Sequence, residues 1–358
     1  MIDRGEVNYG IDLESPAEEA PSAYTDSELV AMLDAQRKSN GESVAVFTDI
    51  DDTAFLPSEP ETTKILFDGA KRENYPIIAD TGNQIQVVGE RIAKGELPYF
   101  QAICSSVGSQ IWVLKREGDK LFYVPDSKYR ERVLATGFNR KEVVETAKEE
   151  IDGESASDQE LKLQFQWPAE EQAFLDGAPY LENQEFKVSL QFEGNIQKMQ
   201  SVRDRFTELF PKFRVSVCQI QKLDGGKSLY YVDLLALDKA DAINYLVEEL
   251  DIDSGIVAGD SGNDIPMFEN SIDKVAKVKV GGSKPELDEA IDDIVNKEDV
   301  TGAGSFKYVP TNQGEHALFY VEKKGRKGPH SVAYAAEVLR RAREINKIRN
   351  NTTSTENK

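Results

Sequence analysis

Short apolar runs recur along the chain at residues 44–47, 76–79, 102–104, 256–258 and 275–280, with helical periodicity between several of them. Runs of this length are buried strands, and strands alternating with helices predict a doubly wound, mostly parallel sheet in a Rossmann-like α/β domain. From about residue 127 to 234 the period falls to two. Phe186, Val188, Leu190 and Phe192 share one face and Lys187, Ser189 and Gln191 the other; Leu161, Leu163, Phe165 and Trp167 oppose Lys162, Gln164 and Gln166 in the same way. Helical spacing at Ile196, Met199, Val202, Phe206 and Leu209, and again at Val143, Val144, Ala147 and Ile151, supplies helices to cover the apolar face. The pattern therefore predicts an α+β module at 127–234, inserted into an α/β core made of 43–126 and 235–349. Residues 1–42 form an acidic N-terminal extension with a short helix from the Thr25-Asp26 cap to near Gly41, and the polar stretch 350–358 reads as a disordered tail.

Composition narrows the function. A chain of 358 residues with 39% hydrophobic content can bury a large core plus a second module, and no stretch approaches the length of a membrane helix or the layout of a secretion signal. A cytoplasmic protein without a membrane partner is expected. Cys104 and Cys218 are the only cysteines and His316 and His330 the only histidines, which leaves little for a disulfide framework, a zinc site or a Ser-His-Asp triad. His330, after Gly328-Pro329, reads as a helix-start residue. A net charge of −21 argues against nucleic acid as a partner and requires local cations for any phosphorylated substrate. The segment 322–350 reverses the trend, with nine Lys or Arg against three Glu, and reads as a solvated helix face.

Two strand ends carry paired carboxylates. Asp49 and Asp51 follow the run at 44–47, and Asp260 and Asp264, in Gly259-Asp260-Ser261-Gly262-Asn263-Asp264, follow the run at 256–258. Open α/β sheets keep their chemistry at the carboxyl ends of strands, so four carboxylates there suggest one hard-metal site. Hydrolysis of a phosphate ester by carboxylate attack needs a cation and fixed donors to neutralise the phosphoryl oxygens. Asp49 is the candidate nucleophile and Asp51 the candidate acid and base. Asp49, Asp51, Asp260 and Asp264 are the candidate Mg²⁺ ligands, joined by a backbone carbonyl. Thr81, in Asp80-Thr81-Gly82-Asn83, offers a hydroxyl and, with Gly82 and Asn83, backbone amides to phosphate; Thr53 joins these substrate-binding candidates.

The motifs Asp49-Ile50-Asp51-Asp52-Thr53, Thr81-Gly82 after a second strand, a lysine before a helix, and the 259–264 hexapeptide together resemble the haloacid dehalogenase-like phosphatases, over about residues 43–339. The position of the insert resembles the branch with an α+β cap, and Phe186-Lys187-Val188-Ser189 with the 259–264 motif is most similar to sucrose-6-phosphate phosphatases. That resemblance implies a magnesium-dependent release of phosphate from a sugar phosphate. It places the third-motif lysine on Lys239 rather than Lys227, turns Lys187 and Ser189 toward the sugar, and gives Asn263 a hydrogen bond to the phosphate or an adjoining hydroxyl. Two departures stand out: Val280-Gly281-Gly282-Ser283 replaces the usual Gly-Asn-Ala, and Asn83 replaces the arginine common after Thr-Gly. The alternatives left open are a sugar phosphomutase of the same superfamily and a non-catalytic binding or regulatory subunit; a protein partner is not specified.

Overall fold

The computed structural model describes residues 11–12, 44–59, 61–73, 75–118, 120–152, 165–166, 185–272, 275–296, 300, 306–310, 316–322 and 326–336. The helix expected before Gly41, the positions 161–164 and Trp167, the helical continuation past residue 336 and the tail 350–358 lie outside them.

The first described element is a two-residue strand, β1 (Ile11–Asp12). The core then builds up as β2 (Val44–Thr48), α1 (Glu61–Glu73), β3 (Ile77–Asp80), α2 (Ile85–Ala93) and β4 (Ala102–Ser105), followed by the hairpin β5 (Gln110–Glu117) and β6 (Lys120–Pro125). After helices α3 (Ser127–Leu134) and α4 (Arg140–Asp152) come β7 (Phe165–Gln166), β8 (Lys187–Gly194), α5 (Ile196–Leu209), β9 (Arg214–Lys222) and β10 (Ser228–Leu235). The chain returns with α6 (Lys239–Glu249), β11 (Ser254–Gly259), α7 (Ile265–Asn270), β12 (Val275–Lys279), α8 (Pro285–Val295), β13 (Phe306–Pro310), β14 (His316–Val321) and a helix at 329–336.

The larger sheet has the order β1-β6-β5-β4-β3-β2-β11-β12-β14-β13. Its centre, from β4 through β3, β2, β11 and β12 to β14, is parallel, and both flanks are antiparallel. Alternate residues feed two cores, as the pleat requires. Val46, Ala79 and Ile103 pack toward α2, whose Ile85, Val88 and Ile92 are buried, while Ala45, Phe47, Ile78 and Cys104 pack toward α6 and α8. This is a Rossmann-like α/β core. The N-terminal extension contributes β1 to the sheet edge beside β6.

The second sheet, β7-β8-β10-β9, is antiparallel and is formed by residues lying between β6 and β11. Val188, Leu190 and Phe192 are buried with Met199, Val202 and Phe206 of α5 and Val143, Val144 and Ala147 of α4, as the period-two and helical patterns require. Lys187, Ser189 and Gln191 stay half-buried on the opposite face. One element sits differently from the sequence partition: α3 buries Tyr129 and Val133 in the core of the larger sheet, and Tyr129 Oη donates to Gly108 O.

Candidate active site

Because β2 lies between β3 and β11 and all three run parallel, the loops leaving their carboxyl ends converge on one edge. Asp49 is the first residue beyond β2, buried, with its N–H donating to Ala258 O of β11. Asp260 and Asp264 follow β11. The Asp264 Oδ2 accepts the backbone N–H groups of Asp260 (2.9 Å) and Ser261 (3.0 Å), so this carboxylate shapes its own loop. Asp260 Oδ1 accepts from Thr53 Oγ1 at 3.0 Å.

Lys239 is the first residue of α6, whose start is fixed by a capping box in which the Asp238 and Asp241 side chains each accept the other's backbone N–H. Fully buried, its ammonium donates to Asp49 Oδ1 (2.8 Å), Asp264 Oδ1 (2.6 Å) and Asp80 O (2.7 Å). Three donors meet three acceptors, which is the full capacity of a lysine. Burial works against its charge, but Asp264, Asp49 and Asp80 outweigh that and hold the ammonium above its ordinary range. Burial raises Asp49 and Lys239 opposes; burial also raises Asp260, with Asp264 and Asp49 adding to the shift. Lys227, by contrast, is exposed next to the turn at Asp224–Gly226.

Carboxylate oxygens of Asp49, Asp260 and Asp264 lie within 4.8 Å of one another, and all three residues are buried. Three acids facing one hydrogen-bonded ammonium leave the group electronegative, and an all-oxygen donor set suits a hard divalent cation such as Mg²⁺. The residues therefore fit the metal that the sequence implies. Asp51 is placed differently. Its carboxylate is not a member of this group; it accepts from Arg91 Nη1 and Asn83 Nδ2, both at 2.8 Å. Thr53 also departs from the expected substrate contact: it is fully buried and its hydroxyl is engaged by Asp260.

Thr81 is anchored by its N–H on Cys104 O, and its hydroxyl accepts the Asn83 N–H at 3.2 Å. Asn263 Nδ2 lies 3.1 Å from where a Cβ on Gly82 would sit, so the phosphate-loop candidates and the second acidic loop lie close together, and a Cβ at position 82 would require Asn263 to give by a few tenths of an ångström. On the second sheet Lys187 Nζ forms an ion pair with Asp233 Oδ1 of β10 at 3.2 Å, and Ser189 Oγ donates to the same oxygen at 2.6 Å. Asp233 is buried and was missed from sequence; a lone acid inside the run Tyr230-Tyr231-Val232-Asp233-Leu234 was the signal. Two core residues reach toward that sheet. Glu286 Oε1 accepts from Gln219 N (2.9 Å) and Gly262 N (3.3 Å), joining β9 to the 260–264 loop. Lys284, whose N–H donates to Asp260 O at 2.7 Å, has its ammonium in the field of Asp260 and Cys218.

Fold and acidic site together define a haloacid dehalogenase-like hydrolase with a Rossmann-like core and an α+β cap. The chain belongs to the sucrose-6F-phosphate phosphohydrolase family, whose sequence profile matches residues 42–304. Among solved structures it is similar to the sucrose-phosphatase from Synechocystis sp. PCC6803, determined in complex with sucrose and phosphate: 21% identity, 82% of this chain and 97% of that one covered, TM-score 0.53. That similarity is one of fold. A haloacid dehalogenase-like hydrolase from Bacillus subtilis shares 16% identity over 74% of this chain and 92% of its own, with a TM-score of 0.41. A sugar phosphatase of subclass IIB shares 17% over 69% and 91%, with a TM-score of 0.37. No curated protein matches the chain. Among the described residues no helix is long and apolar enough to cross a membrane.

Proposed function

We propose that this protein is a Mg²⁺-dependent phosphatase that removes phosphate from a phosphorylated sugar, with sucrose 6-phosphate the first substrate to test. The observation that carries the reading is the Lys239 ammonium joining Asp49 to Asp264, residues from two separate strand ends, within a buried group of three carboxylates. Asp49 Oδ1 is held by Lys239, so its second oxygen is the one to attack phosphorus, forming an aspartyl-phosphate as the ester P–O bond breaks. Asp51 gives its proton to the leaving oxygen, and the sugar departs as an alcohol. In the second step water attacks the phosphoryl group, its proton passes to Asp51, and the Asp49–phosphorus bond breaks to release phosphate.

The metal, held by Asp49, Asp260, Asp264 and the Asp51 carbonyl, would supply charge neutralisation at the phosphoryl oxygens. Thr53 orients Asp260. Thr81, Gly82 and Asn263 surround the phosphate position, and Lys187, Ser189 and Asp233 form a polar patch for sugar hydroxyls on the cap. We place the core at 43–126 and 235–349, as the alternation of strands and helices suggests, and the cap within 127–234, with α3 packed on the core side. Asp49→Asn keeps the shape and removes the nucleophile. It should lower phosphate release from sucrose 6-phosphate by at least about 10⁴-fold while leaving the circular dichroism spectrum unchanged. A folded Asn variant that retains most of its turnover would defeat the assignment.

A further inference from the structure

Asp51 is gripped at both ends, and the two grips are unlike. Oδ2 accepts from the amide of Asn83, which belongs to the Thr81-Gly82 loop where phosphate would bind. Oδ1 accepts from Arg91, one residue short of the last buried position of α2. The Arg91 side chain is 15% exposed and braced from two more sides: its guanidinium lies 4.8 Å from the centre of the Phe55 ring, and its Nε is 3.6 Å from Glu96 Oε2. Phe55 in turn closes the loop that carries Asp51, by Asp52 N to Phe55 O (2.9 Å) and Phe55 N to Ile50 O (2.7 Å). Position 83, where an arginine is common in this superfamily, holds an asparagine here, and a guanidinium reaches the same carboxylate from eight residues further along the chain.

We propose that Arg91 is the positioning residue of the acid–base step: it fixes Asp51 Oδ1 so that Oδ2, released by Asn83 when substrate fills the phosphate loop, is the oxygen that carries the proton. This rests on the reading of Asp51 as acid and base. Each donates one hydrogen bond, but a guanidinium braced on an aromatic face and a second carboxylate restricts the orientation of its partner more than the amide of Asn83. After the sugar leaves, the same guanidinium holds the carboxylate that will take the proton from water.

Proton donation matters most when the leaving group is a poor one, which separates positioning from a general loss of structure. Arg91→Met keeps an apolar stem over Phe55 and removes the donor; Arg91→Lys restores a cation. Each, with Asp51→Asn as reference, is assayed for kcat and KM on sucrose 6-phosphate, whose leaving group is an alkoxide, and on 4-nitrophenyl phosphate, whose leaving group needs little help. The expected result for R91M is a kcat loss of about 10- to 100-fold on the sugar phosphate against less than about 3-fold on the aryl ester, with R91K recovering part of the former. Equal losses on both esters, or R91K no better than R91M, would overturn the proposal while D51N remained selective. If D51N itself loses both activities equally, the acid–base reading falls and the Arg91 proposal with it.

Discussion

At the scale of single residues, Asp80 is the outlier. It ends β3 fully buried, its carbonyl accepts from Lys239, and neither of its carboxylate oxygens has a hydrogen-bond partner. Burial pushes this carboxyl well above the usual carboxylate range, with the Lys239 ammonium opposing. The folded state therefore binds the proton more tightly than the unfolded chain. The stability this contributes is present below the ordinary carboxylate pKa of about 4 and is lost as pH rises through the folded value. Asp80→Asn keeps the shape and abolishes the ionisation, so the variant should match the parent near pH 4 and exceed it by about 1–3 kcal/mol at neutral pH. Urea unfolding across that range measures the gap, and a gap of the opposite sign would mean that the field of Lys239 outweighs burial. Which residues could be read from sequence follows the same physics. Asp49, Asp260 and Asp264 announce themselves because strand ends and spacing are local properties. Arg91, Asp80 and Asp233 matter through partners as far away as Asp51 or Ser189, and no local pattern pairs them.

The elements were legible where burial on both faces forces an unbroken apolar run, as in β2, β3 and β11. The hairpin β5–β6 escaped because its far end is polar: Lys115, Arg116 and Glu117 are exposed while Ile111, Trp112 and Leu114 are buried. The change of sequence texture from residue 127 places helix α3 in the insert, yet its Tyr129 and Val133 pack into the core of the larger sheet. The start of α6 depends on a loop remote in sequence. A Cβ on Gly108 would sit 2.4 Å from Asp238 O and 2.6 Å from the Lys239 N, and its φ of +82° is a conformation that glycine alone adopts without strain. Gly108→Ala must therefore shift its own loop or the helix N-terminus that carries Lys239, disturbing the hold of Lys239 on Asp49. The expected outcome is a loss of about 2 kcal/mol or more in stability together with a fall in kcat on both sugar and aryl esters, since in the proposed mechanism Lys239 would serve attack on phosphorus whatever the leaving group. Normal turnover in a destabilised G108A would uncouple the loop from the site.

On the scale of the molecule, the problem is negative charge. A chain of net charge −21 gathers three buried carboxylates at one sheet edge and, for the proposed function, would still have to admit an anionic substrate. Cations are placed on both sheets' sides of the molecule: Lys187 beside Asp233 on the cap and Lys284 in the field of Asp260 on the core, with Cys218 of β9 in the field of Asp233, Lys187, Lys284 and Glu286. Glu286 ties that strand to the acidic loop, so the cap is fastened to the end of the core that carries the three carboxylates. A divalent cation would relieve the repulsion among Asp49, Asp260 and Asp264 only in the folded protein, because only folding brings residues 49 and 260 together. Mg²⁺ should therefore stabilise by mass action, by about 2.7 kcal/mol at a hundredfold excess over its dissociation constant. The melting midpoint should rise by a few degrees on adding MgCl₂ to chelator-treated protein, without any substrate present. NaCl at matched ionic strength should reproduce little of this, since screening acts weakly on buried charges. Asp260→Asn, which removes one charge of the three and leaves Lys239 fully bonded, should abolish the magnesium-specific part of the shift; an unchanged shift would put the ion elsewhere on this acidic surface.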